Sequence, residues 1–427
     1  MICSKVLRRS RRLVLSLAPA AALALVGIGI GVGVGCDSST GSNTNATIPS
    51  TGLAVLNSDY SSTSLSLIDP ATRLVVHDDC VDSNTVPPTL SLVLSGDVAL
   101  PSRPQSGGDV VLIDDVNGAL TWVDPQTCKI RHQLSVGDFK AFPHDVISAS
   151  SIKAYVTRFG TNPTPTADPM SRGEDLLIIN PSSSPQPTIV GRIDLAPFAA
   201  TVTGATVQAR PDKGMLVGDK LYVTLASQSA DYTATGTGRV VVVDTASDQV
   251  SGMLDLTGLA GCARMEYVAA AQMLYVSCGG DSSAADQSQT SGIAIVDVSG
   301  ATPSLMSVVP ATWTGTQPLN FSWVAPVSND QIWTATFGAI DFTSNAQTAP
   351  DTLWSINLVT DTPTMSIQGG AFNLGRTAFA TTPPSLFVPD ADMTHPLVHV
   401  LDLGGAATID IDANPSQHLP PREVAWY

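Results

Sequence analysis

Three arginines and a histidine recur at one register, with a fourth arginine one residue off it, in a 427-residue chain that is otherwise short of basic groups. Counting back eleven residues from the aromatic of successive Leu-Tyr-Val-Thr-like segments reaches His144 from Tyr155, Arg264 from Tyr275 and Arg376 from Phe387. The same count from Tyr222 reaches Pro211, next to Arg210. Arg422 takes the like place in the closing Pro421-Arg422-Glu423-Val424 segment. Trp333 leads to Ser322 instead, so one unit departs. The chain carries 37 acidic residues against 21 basic ones, which makes this gathering of cations informative. Guanidinium forks match carboxylate and phosphate oxygens, so a ligand-binding site for a small anion is one reading. The bland alternative has each arginine holding backbone carbonyls or Glu266, Asp145 and Glu423, and so tying neighbouring units together.

Other chemistry is poorly signalled. No Gly-x-Ser-x-Gly elbow and no His-Glu-x-x-His pair occurs, so no catalytic residue, metal ligand or cofactor is assigned. Asp410-Ile411-Asp412-Ala413-Asn414 begins like a calcium loop, but Pro415 stands where glycine is needed. His395 and His399 would share one side of a strand about 13 Å apart, too far to hold a metal together. Trp323, Trp333, Trp354, Phe321 and Tyr267 read as wedge fillers between sheets rather than ligand-stacking groups.

The elements that must carry these residues repeat. Ser66-Leu67-Ile68-Asp69, Thr121-Trp122-Val123-Asp124, Leu177-Ile178-Ile179-Asn180, Val241-Val242-Val243-Asp244, Ala294-Ile295-Val296-Asp297, Trp354-Ser355-Ile356-Asn357 and His399-Val400-Leu401-Asp402 each end an apolar run at a turn. Four short strands fit each period, lettered A to D from the axis outward. In the fourth unit they are predicted at 213–218, 221–224, 240–244 and 250–256. Such periodicity with a 43% hydrophobic content and many turn residues implies an all-β, seven-bladed β-propeller. The first unit has strands B, C and D near 53–57, 64–69 and 72–76 but no A. The C-terminal 423–427 segment supplies it, a velcro closure that completes the N-terminal blade.

Ala154-Tyr155-Val156-Thr157, Leu221-Tyr222-Val223-Thr224 and Leu274-Tyr275-Val276-Ser277 resemble the seven-bladed YVTN or YncE-like propellers, which are grouped with seven-bladed lactonases. That resemblance implies the fold over residues 52–427 and says little about activity. Two functions follow as expectations. The first is a non-catalytic propeller binding a protein, peptide or small anionic ligand at the channel mouth through His144, Arg210, Arg264, Arg376 and Arg422. The second, implied by the lactonase-like relatives, is hydrolysis of a lactone or sugar ester. There Arg264 and Arg376 would hold a carboxylate while His144 acts as general base. A cofactor-dependent dehydrogenase is disfavoured by the few tryptophans and the lack of a metal constellation.

Residues 1–36 read as an address. Lys5, Arg8, Arg9, Arg11 and Arg12 precede an uncharged run that ends at Val34-Gly35-Cys36, resembling a bacterial lipoprotein signal with Cys36 as the lipidated residue. The alternative is an uncleaved membrane anchor. Residues 37–50 read as a flexible tether and 51–427 as the propeller. The expected location is the cell envelope, periplasmic or outer-surface, with the body a monomer. The whole chain carries −16, and the loss of the five basic residues at its start leaves −21, which disfavours nucleic acid as a partner. An oxidising compartment suits the remaining even cysteine set, paired as Cys80 with Cys128 and Cys262 with Cys278.

Overall fold

The computed structural model describes residues 48–284, 286–314, 321–341, 346–370, 373–405 and 407–427. The address segment with Cys36, and most of the tether, lie outside the described residues. Seven four-stranded antiparallel sheets stand around one axis, each ordered A to D from the centre outward, as the repeat implies. The fourth blade is Pro211–Val217, Lys220–Leu225, Thr237–Asp244 and Gln249–Ala260. The ring closes as expected. Pro421–Trp426 pairs with Leu53–Ser58, with Leu53 opposite Trp426 and Leu56 opposite Glu423. The first blade's outer strand, Leu74–Asp82, runs further than the sequence suggests and carries Cys80.

Local chemistry explains the turns. The seven Asp or Asn residues that end the C strands all accept a hydrogen bond from the backbone N–H two residues on, at 2.8–3.1 Å. A short side chain capped onto its own turn is why Asp and Asn recur there. Apolar residues of facing blades fill the wedges. Leu56, Leu67, Leu112 and Val123 form one such cluster, and Tyr222, Val242, Leu274 and Val296 another. Both expected disulfides are present, Cys80–Cys128 between blades one and two and Cys262–Cys278 within blade five. A crosslink spanning 48 residues, like the first, contributes roughly 2–4 kcal/mol.

Bulges mark both edges of the blades. Strand D loses register against strand C in blades one to six, near the turn in the first five, while the seventh outer strand has only three residues, Ile409–Ile411. Bulged or short edge strands resist sheet-to-sheet aggregation. Strand A carries one extra residue against strand B near its start in blades one, three, four, five and six. Chain direction gives the ring two faces. The A strands begin on the face where B strands end, and the C–D turns lie on the other. Ile48 packs against the core of blades one and two, and the Pro49 carbonyl accepts from Gln126 Nε2 at 2.9 Å, which places both at the C–D turn face.

Candidate functional site

The inner-strand bulges position the site. An inserted residue tilts a strand and re-aims a side chain. The bulges fall at His144 in blade three, Asp212 and Lys213 in blade four, Ala263 and Arg264 in blade five, and Arg422 in blade one. Blade two differs. Only Val98–Ala99 pair in its inner strand, because Pro101 has no N–H to give the ladder. Charged side chains take up the backbone groups released there. Glu423 Oε2 accepts from the Leu100 N–H at 2.9 Å and Asp145 Oδ1 from the Ser102 N–H at 2.8 Å. Arg376 donates to the carbonyls of Pro101 and Ser102 at 2.7 and 2.8 Å.

Above this layer is a cavity of about 400 Å³, open at the face where the A strands begin. His144, Lys213, Arg264, Arg376 and Arg422 line it, as do Asp97, Asp115, Asp212 and Glu423. The cations therefore converge, but among carboxylates. Arg264 Nη2 donates to Glu423 Oε1 at 2.8 Å across the axis. Burial alone would raise the Glu423 pKa, but Arg264, Lys213 and Arg376 outweigh it and hold the carboxyl down at about 2. His144 Nδ1 lies 2.9 Å from Asp212 Oδ1. Burial opposes ionisation of Asp212 too, yet His144, helped by Lys213 and Arg264, keeps its pKa well below the usual carboxylate range.

Two cations stand differently. Lys213, 5% exposed, donates to the His144 carbonyl, and Arg376 donates to backbone carbonyls of blade two. Neither has a carboxylate in ion-pair contact among the described residues. Burial lowers the pKa of both. Arg264 and Arg376, with Trp323, also line a cavity of about 10 Å³ beneath, so their side chains form the partition between the two spaces.

Arg210 lies apart from the others. It precedes strand A, is 4% exposed, and does not line the cavity. Its guanidinium sits 4.7 Å from the Phe159 ring centre and 4.4 Å from that of Tyr232, and donates to the carbonyls of Gln228 and Ser229. Phe159 in turn stacks on His144 with centroids 4.4 Å apart. A column of four planar groups thus runs from the rim to the imidazole. Arg422 lies over Tyr60 at 4.6 Å and donates to the Ser58 carbonyl. Sequence reasoning missed Lys213, the Asp212 partner and this column. Aligning Pro143-His144, Pro211-Asp212 and Pro421-Arg422 would have pointed past Arg210 to Asp212 and Lys213.

In blade seven His395 is exposed and His399 half-buried, and no group of three metal-ligating side chains occurs among the described residues. Trp323 and Trp333 are buried in one inter-blade cluster, although Trp323 also reaches the cavity wall. No described helix is long and apolar enough to cross a membrane.

No protein-family model matches the chain, and no curated protein matches it in sequence. Solved structures do match its shape. A candidate 6-phosphogluconolactonase from Bacteroides uniformis superposes with a TM-score of 0.55 at 12% identity, over 88% of this chain and 99% of the other. A second one, from Bacteroides fragilis, gives 0.55 at 8% identity over 90% and 99%. The β-propeller domain of Cps50 (Swd1) from Myceliophteria thermophila gives 0.53 at 11% over 84% and 99%. At such identities the likeness is one of fold.

Proposed function

We propose that this propeller is a binding protein that takes a small anionic ligand into the 400 Å³ cavity on its axis. The observation that carries this reading is a pair of cations, Lys213 buried and Arg376 half-buried, that line the cavity without a carboxylate in contact among the described residues. A buried charge lacking a close counter-ion is costly, and an incoming carboxylate or phosphate would supply that counter-ion. The cavity's size suits a small molecule better than a folded partner. The same reading keeps the chain in the cell envelope, lipidated on Cys36 after removal of the address segment. Mass measurement of the N-terminal peptide tests that part, since a diacylglyceryl group on Cys36 is expected.

Calorimetric titration with acetate and with inorganic phosphate tests the site. Arg376→Gln should weaken binding by about ten- to a hundredfold, the worth of one charge-assisted hydrogen bond. Unchanged affinity in a folded Arg376→Gln protein would sink the reading. A second reading, hydrolysis of a lactone or sugar ester, is favoured by the His144–Asp212 pair. A carboxylate on Nδ1 orients an imidazole as a general base, here on the cavity wall. Turnover of a simple lactone that disappears in His144→Ala would move the protein into that class.

A further inference from the structure

We propose that Lys213 is a reactive amine, and that the ligand of the cavity is a small oxo acid whose carbonyl carbon it captures as an imine. This rests on the anion-binding reading of the same cavity and narrows it.

The chain has six lysines. Lys5 lies outside the described residues. Lys129 and Lys140 are exposed, while Lys153 and Lys220 hold Asp248 and Asp244 at 2.6 and 2.7 Å. Lys213 alone is buried, on a cavity wall, with a backbone carbonyl as its hydrogen-bond partner and no carboxylate in contact. An ammonium ion placed there gives up most of its hydration without a direct counter-ion, and releasing its proton removes that cost. The charged neighbours pull both ways. Burial and Arg264 favour the neutral amine, whereas Asp145, Glu423 and Asp212 favour the cation, and burial prevails. Lysines become nucleophiles in this setting, desolvated and beside another cation.

The cavity also supplies the other parts that imine formation needs. The Lys213 lone pair adds to the carbonyl carbon, and the C=O π electrons pass to oxygen, giving a carbinolamine. Loss of that hydroxyl as water, with one proton from the nitrogen, leaves the C=N bond. The sum is amine plus carbonyl giving imine plus water, with no oxidant or reductant. His144, whose carbonyl holds Lys213, carries its imidazole on the same wall, tied to Asp212. It can pass a proton to the departing hydroxyl and recover one from nitrogen. Arg376 receives the acid's carboxylate. A simple anion would use the cations alone. An oxo acid uses both the charge and the amine.

The test uses the full chain with pyruvate as the probe and cyanoborohydride to reduce any imine to a stable amine, followed by peptide mapping. The expected result is a reduced pyruvyl adduct on Lys213, about tenfold above that on exposed Lys129 or Lys140. Lys213→Arg should lose it, and Lys140→Arg should keep it. Should Lys213→Arg fail to fold, the site distribution in the unmodified chain decides the matter by itself. Acetate titration runs alongside. Acetate binding without preferential labelling of Lys213 overturns the imine and leaves the anion site standing. Preferential labelling without acetate binding overturns the anion site and leaves the reactive amine standing.

Discussion

Two clusters of charge in this ring are built on opposite plans. In blade three, Asp175, fully buried, receives Arg158 Nε and Nη2 at 2.8 and 2.7 Å and Arg192 Nε at 2.6 Å. Arg158, 1% exposed, also bonds the Val136 carbonyl and lies 5.2 Å from the Phe139 ring centre. That cluster belongs to one sheet and its neighbouring loop, and the cavity does not reach it. The axial cluster draws Lys213, Arg264, Arg376 and Glu423 from four blades, has two cations without a contacting carboxylate, and borders open space. Closed geometry, with each guanidinium held on a buried carboxylate, is what structure alone requires. The axial arrangement leaves two cations facing open space with only backbone carbonyls as hydrogen-bond partners among the described residues.

Substitutions should separate the two plans. Asp175→Asn is expected to have the largest effect, about 3–5 kcal/mol of lost stability, because it strands Arg158 in the interior. Its thermal midpoint should fall steeply while acetate affinity in the protein that remains folded stays as before. Glu423→Gln should cost less, about 1–3 kcal/mol, since water in the cavity can reach Arg264. It should also tighten acetate binding, because it removes a negative charge beside Lys213 and Arg376. Weaker acetate binding in Glu423→Gln would erase the distinction between the clusters. Glu423 gives a pH signature as well. Its pKa lies near 2 when folded against an ordinary 4.5, so its contribution is full above about pH 4.5 and is lost on acidification toward 2.

The smallest effect belongs to a third, peripheral pair. His399 in blade seven presents Nδ1 to Asp410 at 2.7 Å and Nε2 to Asp390 at 3.4 Å. Asp390, with Asp410 behind it, raises the imidazole pKa above 6.5 despite partial burial. The sign is opposite to that of Glu423. This contribution is complete below about pH 6.5 and fades as pH climbs through the raised value. Melting curves across that range should show a shallow decline, worth roughly 1 kcal/mol or less, that His399→Gln abolishes.

The ring was legible because its determinants are local. Asp69, Asp124 and their counterparts each cap their own turn, and the alternation of apolar residues declares strands without reference to distant partners. Closure was legible for a related reason: Pro421-Arg422-Glu423-Val424 matches the inner-strand leaders while blade one lacks one. The disulfides followed from the same frame. The site was harder to read. Counting residues back from Tyr222 stops at Pro211 because the A–B turn is shorter in blade four. Tyr222 pairs with Met215, seven residues back, whereas Tyr155 pairs with Ile147, eight back, and Tyr275 with Glu266, nine back. The nearest cation in sequence, Arg210, does not line the cavity. Lys213 carries no signal of its own, since its meaning comes from neighbours such as Arg264 and Glu423 that arrive from other blades. Sequence separations of 159 residues, as between Arg264 and Glu423, carry no local pattern.

The placement of Ile48 and Pro49 has a consequence for how the molecule stands. They emerge among the C–D turns, at the base, whereas the cavity opens at the far end. A support that gripped the chain at Ile48 would hold it like a cup set on its foot, brim outward, able to fill and empty without being lifted.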